Sequence, residues 1–118
     1  MKLTKLRRKA DRLVLEFYTQ GLCQACGKVP AQTCHHFVPK SQSNNLRYDP
    51  KNLVPICNAC HFAHHTKGDP EIHRAIERLR GSDWADDLQK RRRILCKFNI
   101  GYLENIIEEL TNLLNQIH

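Results

Sequence analysis

The sequence of 118 residues has no long apolar run, no Gly/Ser-rich linker and no internal repeat. A transmembrane helix needs ~20 consecutive apolar residues, so we expect no membrane-spanning segment and no membrane partner. The N-terminal stretch Met1–Lys9 is basic but leads to Ala10-Asp11-Arg12 without the apolar core of a signal peptide, which disfavours secretion. The expectation is therefore one cytoplasmic domain over residues 1–118.

Acidic side chains are outnumbered by basic ones. The whole chain has 19 Lys and Arg against 12 Asp and Glu, for a net charge of +7. Residues 98–118 hold three Glu and no Lys or Arg, so the basic excess lies entirely in residues 1–97. This density of cations favours a polyanionic partner through phosphate neutralisation and counterion release. A solvated basic surface that serves solubility is the alternative.

The residue pattern divides the domain into three parts. Apolar residues at helical spacing predict a basic amphipathic helix within residues 1–21, over about 3–19. Residues 22–68 are irregular and rich in Cys and His, with short strands predicted at Cys34–Val38 and Leu53–Ile56. Residues 69–118 are predicted to be helical.

Three helices are expected in the last part. Asp69-Pro70 predicts the start of the first, which Gly81 ends, with the apolar stripe Ile72, Ala75, Ile76 and Leu79. Ser82-Asp83 is expected to cap the second helix, in which Trp84 would anchor the core. Asn99 is expected to cap the last, whose wide apolar stripe would pack on other helices or form a homodimer.

Two Cys-x-x-Cys pairs (the knuckles) stand thirty-odd residues apart, at Cys23/Cys26 and Cys57/Cys60. Two such pairs complete a tetrahedral four-sulfur shell, so they predict structural Zn²⁺, which would also compensate for a small core. Unrelated buried or reactive thiols are the alternative. Cys34 and Cys96 lie outside the pattern; we expect Cys96 to be a core thiol and assign Cys34 no role.

Histidines form a second cluster of metal-ligand residues. His35 and His36 precede the second knuckle, while His61 and His65 follow it at a spacing that places them on one helix face, with His64 beside them. Four cysteines need no histidine, so these imidazoles predict a second, open metal site with one spare histidine as general base. The alternative is that these histidines bind no metal and only make hydrogen bonds within the strand and the helix. His73 and His118 are expected at the surface.

The order of these residues resembles the HNH endonucleases of the zinc-stapled type over about Cys23–Thr66. The resemblance implies an α+β fold with a small ββα-metal, treble-clef-like core, flanked by the basic N-terminal helix and the C-terminal helices. It implies that His36 is the general base of phosphodiester hydrolysis and that Asn52 holds the loop carrying it. A catalytic Mg²⁺ or Mn²⁺ would then be bound by His35, His61 and His65.

A longer resemblance, over about residues 22–112, is to the NinG (Rap) recombination nucleases of lambdoid phages. It rests on His36-Phe37-Val38-Pro39, Leu46-Arg47-Tyr48-Asp49 and Asn52-Leu53-Val54, together with the second knuckle. The resemblance implies cutting of branched or junction DNA during recombination, in the host cytoplasm of a phage. This chain departs from that group by having His35 and His61 where the group has Gly and Asn.

DNA is thus the expected partner, and several cations are candidate phosphate contacts. They are Lys5, Arg8, Lys9 and Arg12 of the first helix, together with Lys40, Arg91 and Arg92. The main alternative function is a non-catalytic zinc-finger module that binds DNA or a protein. Such a module would bind one metal ion and leave DNA strands intact.

Overall fold

The computed structural model describes residues 2–117, and within them helices surround one small antiparallel sheet. In chain order the elements are α1 Lys2–Tyr18, β1 Thr33–His36, β2 Leu53–Ile56, α2 Asn58–His65, α3 Glu71–Arg80, α4 Ser82–Arg91 and α5 Ile100–Ile117. A short 3-10 turn, Pro50–Asn52, precedes β2. The predicted α+β class, with a basic helix before the core and helices after it, is confirmed.

The two strands form a hairpin with a long connecting loop. They pair antiparallel, with Cys34 opposite Pro55 and His36 opposite Leu53. Asn52 is fully buried at the end of the loop. Its Oδ1 accepts a hydrogen bond from the Val38 backbone N–H at 2.7 Å, and its Nδ2 donates to the carbonyl oxygens of Val38 and Leu46, each at 3.0 Å. One amide side chain therefore closes the loop onto the strands.

The hairpin separates two apolar clusters because neighbouring strand residues point to opposite faces. Val54 and Ile56 face a cluster shared with the knuckles, α3 and α4, in which Ile76 and Leu88 have no exposed surface. Leu53 faces the other cluster, formed mainly between α1 and α5. Its buried helical members are Ala10, Val14, Leu103 and Leu110. The apolar stripe of α5 is therefore covered by α1.

Two of the three helix caps predicted from the sequence are present in the structure, and the third is not. Asp69 Oδ1 accepts from the Glu71 N–H at 2.9 Å, and Asn99 Oδ1 accepts from the Tyr102 N–H at 2.9 Å, so both caps are confirmed. The predicted Ser82-Asp83 cap is wrong, since Ser82 is the first residue of α4. Gly81, at φ 98°, joins α3 directly to α4 and leaves no separate capping residue.

Two side chains differ from their predicted packing, and that of Trp84 agrees with it. Leu79 is 63% exposed because Arg80 faces the hairpin instead, where its guanidinium donates to the carbonyl oxygens of Lys51 and Leu53. Cys96 lies half-buried in the irregular segment between α4 and α5, outside both apolar clusters. Trp84 packs against Phe37, as expected of a core anchor, while its Nε1 donates to the Lys51 carbonyl at 2.8 Å.

Residues 2–117 include no helix that is both long enough and apolar enough to cross a membrane. His118, for which a surface position is expected, lies outside the described residues.

Candidate functional site

The four predicted zinc ligands converge on one point. Cys57 and Cys60 lie at the start of α2, while Cys23 and Cys26 lie in the turn after α1, and the four Sγ atoms are within 4.8 Å of one another. The Cys26 and Cys57 sulfurs are 4.0 Å apart. A tetrahedral zinc site with Zn–S bonds of ~2.3 Å requires sulfurs ~3.8 Å apart, so the arrangement fits the ion.

Backbone N–H groups around the sulfurs favour thiolates. Those of Ala25 and Cys26 point at Cys23 Sγ from 3.4 Å, and that of Cys60 at Cys57 Sγ from 3.5 Å. Although burial raises the pKa of Cys23, these backbone hydrogen bonds outweigh it and lower that pKa to about 6. Thiolate is the form that binds zinc. The cluster thus has the geometry of a structural zinc site that ties α2 to the turn after α1, and the backbone around Cys23 favours the thiolate form of that ligand.

A histidine cluster lies between β1 and α2. His35 is buried at 2% exposure, and the rings of His61 and His65 share one face of α2 with centroids 4.4 Å apart. One ring nitrogen from each of these three residues lies within 4.8 Å of the others. The three side chains predicted to hold the catalytic ion are therefore close enough to bind one ion together.

The structure adds a residue that the sequence had assigned to the surface. His73 of α3 is half-buried, and its Nε2 lies 2.8 Å from His35 Nε2. Its ring stacks on His64 with centroids 4.3 Å apart. The sequence carried one hint, because His73 directly follows Ile72 and so borders the apolar stripe of α3. The fold brings this position to His35 only because α3 packs beside α2.

Burial keeps the central histidines neutral. Burial, assisted by the neighbouring imidazoles, lowers the pKa of His35 to about 2 and that of His73 to about 4. The pKa values of His61 and His64 are lowered by the same two causes. Neutral imidazole is the metal-binding form, so this cluster presents nitrogen donors without prior loss of protons.

His36 is oriented differently from the cluster. Its Nε2 lies 2.9 Å from the Arg47 carbonyl oxygen. A carbonyl can only accept, so Nε2 carries the proton, and in the neutral ring Nδ1 has a free lone pair. Burial lowers the pKa of His36, outweighing the hydrogen bond to Arg47, and therefore favours the neutral ring. His36 thus has the tautomer of a general base.

The carbonyl that orients His36 is itself held by α1. The Arg47 guanidinium donates to Asp11 of α1 at 2.7 Å, and the Tyr48 hydroxyl donates to the same carboxylate at 2.8 Å. The basic helix therefore contributes to the position of the histidine through Asp11.

A cleft of about 510 Å³ opens in front of these side chains. It is lined by His35, His36, His61 and His65, with Lys40 and Ser41 among the polar residues beside them. Asn52 is not among the lining residues and is fully buried, so its amide closes the loop behind the cleft and does not border the cleft itself. The side chains of Lys40 and His36 therefore border the same cleft as the three candidate metal-ligand histidines.

The candidate DNA contacts fall into two groups. Exposed positions are occupied by Lys5, Arg8, Lys9 and Arg12, which share the face of α1 opposite its buried residues, and by Lys40. Arg91 instead pairs with Asp49 and Asp87, and Arg92 donates to Gln89 at 2.9 Å. The Arg91 charge is therefore largely neutralised within the protein, and we do not retain it in the DNA-binding face.

Residues 23–67 match the family model described as HNH endonuclease. The matched segment contains both knuckles, the hairpin, Asn52 and all the cleft histidines, whereas His73 lies beyond it. No curated protein and no solved structure matches the chain. Residues 23–67 are thus similar to HNH endonucleases, and this matched segment contains the four-cysteine cluster.

Proposed function

We propose that the chain is a metal-dependent DNA endonuclease in which His36 is the general base. The observation that carries this proposal is the hydrogen bond from His36 Nε2 to the Arg47 carbonyl, because it leaves Nδ1 free to accept a proton. The ring lines the same cleft as three histidines able to bind one ion. A base and a cation site in one cleft are the groups that phosphodiester hydrolysis requires.

In the reaction, His36 Nδ1 takes a proton from the water whose oxygen attacks the phosphorus. A new phosphorus–oxygen bond forms while the bond to the leaving 3′-oxygen breaks. Throughout, Nε2 keeps its proton on the Arg47 carbonyl, so the ring remains aligned as it becomes positively charged. Proton transfer by a positioned side chain contributes about 10²–10⁴-fold to a rate.

The catalytic ion would be held by His35, His61 and His65, whose nitrogens are within reach of one another. When bound, a divalent cation stabilises negative charge on the phosphate and on the leaving oxygen. The predicted ions were Mg²⁺ and Mn²⁺. Imidazole donors suit transition metals, whereas Mg²⁺ takes oxygen ligands and retains waters, so this donor set favours Mn²⁺ of the two.

DNA would be bound through its backbone. The exposed cations of α1 lie on the helix that also holds Arg47 through Asp11, and Lys40 borders the cleft. Contacts of this kind position a duplex without reading its sequence, so sequence-tolerant cutting is expected. Three further proposals rest on the sequence. They are a preference for branched recombination intermediates, a homodimer through α5, and a cytoplasmic location, which is the host cytoplasm if the chain is phage-encoded.

The proposal is tested by incubating the zinc-loaded wild-type protein with supercoiled plasmid and with a synthetic four-way junction. Each substrate is offered Mn²⁺, Mg²⁺ or excess EDTA added immediately before the DNA. We expect strand scission with a divalent ion and none with EDTA, and faster cutting of the junction if branched DNA is preferred. DNA binding without scission under every condition would favour the non-catalytic zinc-finger module.

A further inference from the structure

We propose that His64 and His73 form, together with His35, a second three-histidine metal site that is an alternative to the site of His35, His61 and His65. The ion it would take is a borderline divalent metal such as Zn²⁺. Both sites need His35, so one ion at a time occupies the histidine cluster.

The geometry of the second set is as tight as that of the first. One ring nitrogen from each of His35, His64 and His73 lies within 4.8 Å of the others. The Nε2 atoms of His35 and His73 are 2.8 Å apart, and the ring centroids of His35 and His64 are 4.9 Å apart. Three imidazole donors therefore converge from three separate elements, β1, α2 and α3.

The surrounding fold holds the two added ligands in place before any ion binds. The ring of Phe37 stacks on that of His73 at 4.2 Å, and the adjacent Ile72 is buried in the apolar cluster. The Asp69 N–H donates to the Ala63 carbonyl at 2.9 Å, which ties the start of α3 to the turn that carries His64. Ligands that are ordered in advance lose little conformational freedom on binding.

Competition follows from the chemistry of His35. A neutral imidazole has one nitrogen with a free lone pair, because the other carries the proton. His35 can therefore be a ligand in only one of the two sites at a time. Its central position, with ring centroids 4.9 Å from His64 and 5.4 Å from His65, places it within reach of both.

The donor set indicates which ions would bind. Neutral imidazoles suit Zn²⁺, Co²⁺ and Ni²⁺, whereas Mg²⁺ requires oxygen ligands that these residues do not offer. A histidine cluster held together only by hydrogen bonds and stacking is the alternative explanation. The two explanations differ in the number of metal ions that the protein binds when the first site is removed.

The test counts Zn²⁺ per chain by elemental analysis after equilibrium dialysis of the full-length protein, without DNA. The cysteines supply one ion in every variant. We expect two ions in the wild type, two in His61→Ala/His65→Ala, two in His64→Ala/His73→Ala, and one in His35→Ala. Adding His73→Gln to His61→Ala/His65→Ala should weaken the histidine-bound ion by more than about 100-fold, beyond the effect of an outer-shell change.

A Glu77→Gln variant on the exposed side of α3 is the matched control and should bind two ions. Circular dichroism and the cysteine-bound ion verify folding, which we expect to survive because His65 is exposed and His61 is only half-buried. One ion in folded His61→Ala/His65→Ala would overturn the second site. Three ions in the wild type would contradict the claim that the two histidine sites compete for His35. Neither result depends on nuclease activity, so this proposal and that of an endonuclease fail separately.

Discussion

At the scale of single residues, the proposed mechanism assigns Asn52 to support of the loop and His36 to the chemistry. The amide of Asn52 satisfies three backbone groups of the connecting loop and has no exposed surface. The ring of His36, near the start of that loop, lines the cleft and is oriented by the Arg47 carbonyl. Asn52 therefore affects activity only through the position of the loop.

The support role of Asn52 predicts a loss of stability in Asn52→Ala. The substitution leaves one N–H and two carbonyl groups without their partner in a buried loop, so we expect the free energy of unfolding to fall by about 2–4 kcal/mol. Urea unfolding of the zinc-loaded protein measures it. Asn44→Ala, at an exposed position of the same loop, is the control and should stay within about 0.5 kcal/mol of wild type. Equal midpoints for the two variants would refute the role.

The residues of the site were predictable to different degrees. Three features of the site are local sequence patterns: the cysteine spacing, the His35-His36 pair and the four-residue interval of His61 and His65. Local backbone geometry determines how each of them is arranged in the structure. His73 could not be assigned, because its neighbours depend on how α3 packs against α2. The ion pair of Arg91 with Asp49 has the same cause, since Asp49 is distant in sequence.

At the scale of elements, the cysteine cluster joins parts of the chain that are distant in sequence. It connects the turn after α1 to the start of α2, and the Gln24 N–H donates to the Pro55 carbonyl of β2 at 2.9 Å beside it. An eight-residue helix such as α2, which has no buried residue, is not stable without such an attachment. The zinc site therefore adds to the limited apolar packing of α2, in which Cys60 and Ala63 contact the first apolar cluster.

Zinc removal is expected to unfold the core around the hairpin. Structural zinc contributes about 10–16 kcal/mol of apparent binding free energy in small domains, comparable to the whole stability of a protein. After strong chelation we expect loss of helical circular dichroism and a red shift of Trp84 fluorescence, since Trp84 contacts Phe37 in that core.

Cys57→Ser should reproduce the effect of chelation, whereas Cys96→Ser, outside the cluster, should keep the zinc and the fold. A metal-free protein with unchanged spectra would show that the cysteine site is not structural.

The packing of α5 on α1 gives a third prediction. Leu103 is fully buried between them, so Leu103→Ala should lower the free energy of unfolding by about 2–5 kcal/mol through lost burial and a cavity. Leu113 is 37% exposed on the same helix, and we expect less than about 1 kcal/mol for Leu113→Ala. Denaturant midpoints compare them. Similar losses would mean that α5 does not pack on α1 through this face.

Most elements followed from the sequence because their determinants are local. Apolar periodicity, Asp69 and Asn99 define α3 and α5, and the two apolar runs on either side of the loop define the strands. The start of α4 did not follow, because the extended turn at Gly81 replaces the capping residue that Ser82 would otherwise have supplied. The partner of α5 was left open since an apolar stripe does not specify what covers it.

At the scale of the whole molecule, the fold separates its charges. The basic face of α1 is exposed, while the opposite face packs on α5, which carries three Glu and no cation. The same α1 reaches the cleft through Asp11 and Arg47. A duplex bound along α1 would therefore lie next to the element that positions His36.

DNA affinity should depend on salt through these cations. For the variant Lys5→Ala/Arg8→Ala/Lys9→Ala/Arg12→Ala we expect weaker binding and a slope of log K against log salt that is smaller by about 3–4, at ~0.9 for each lost phosphate contact. Fluorescence anisotropy over a salt series measures it. Arg74→Ala/Arg78→Ala, which removes two cations paired with Glu71, is the control and should change the slope little. An unchanged slope in the α1 variant would show that the basic face of α1 does not contact DNA phosphates.

The central claim is that His36 removes a proton during DNA cleavage. The most direct measurement is the single-turnover cleavage rate of plasmid with Mn²⁺, for wild type and His36→Ala at saturating protein, so that both bind the DNA fully. The account predicts a rate lower by about 10²–10⁴-fold in the variant, with zinc content and DNA affinity retained. Cleavage at the wild-type rate by folded His36→Ala would contradict it.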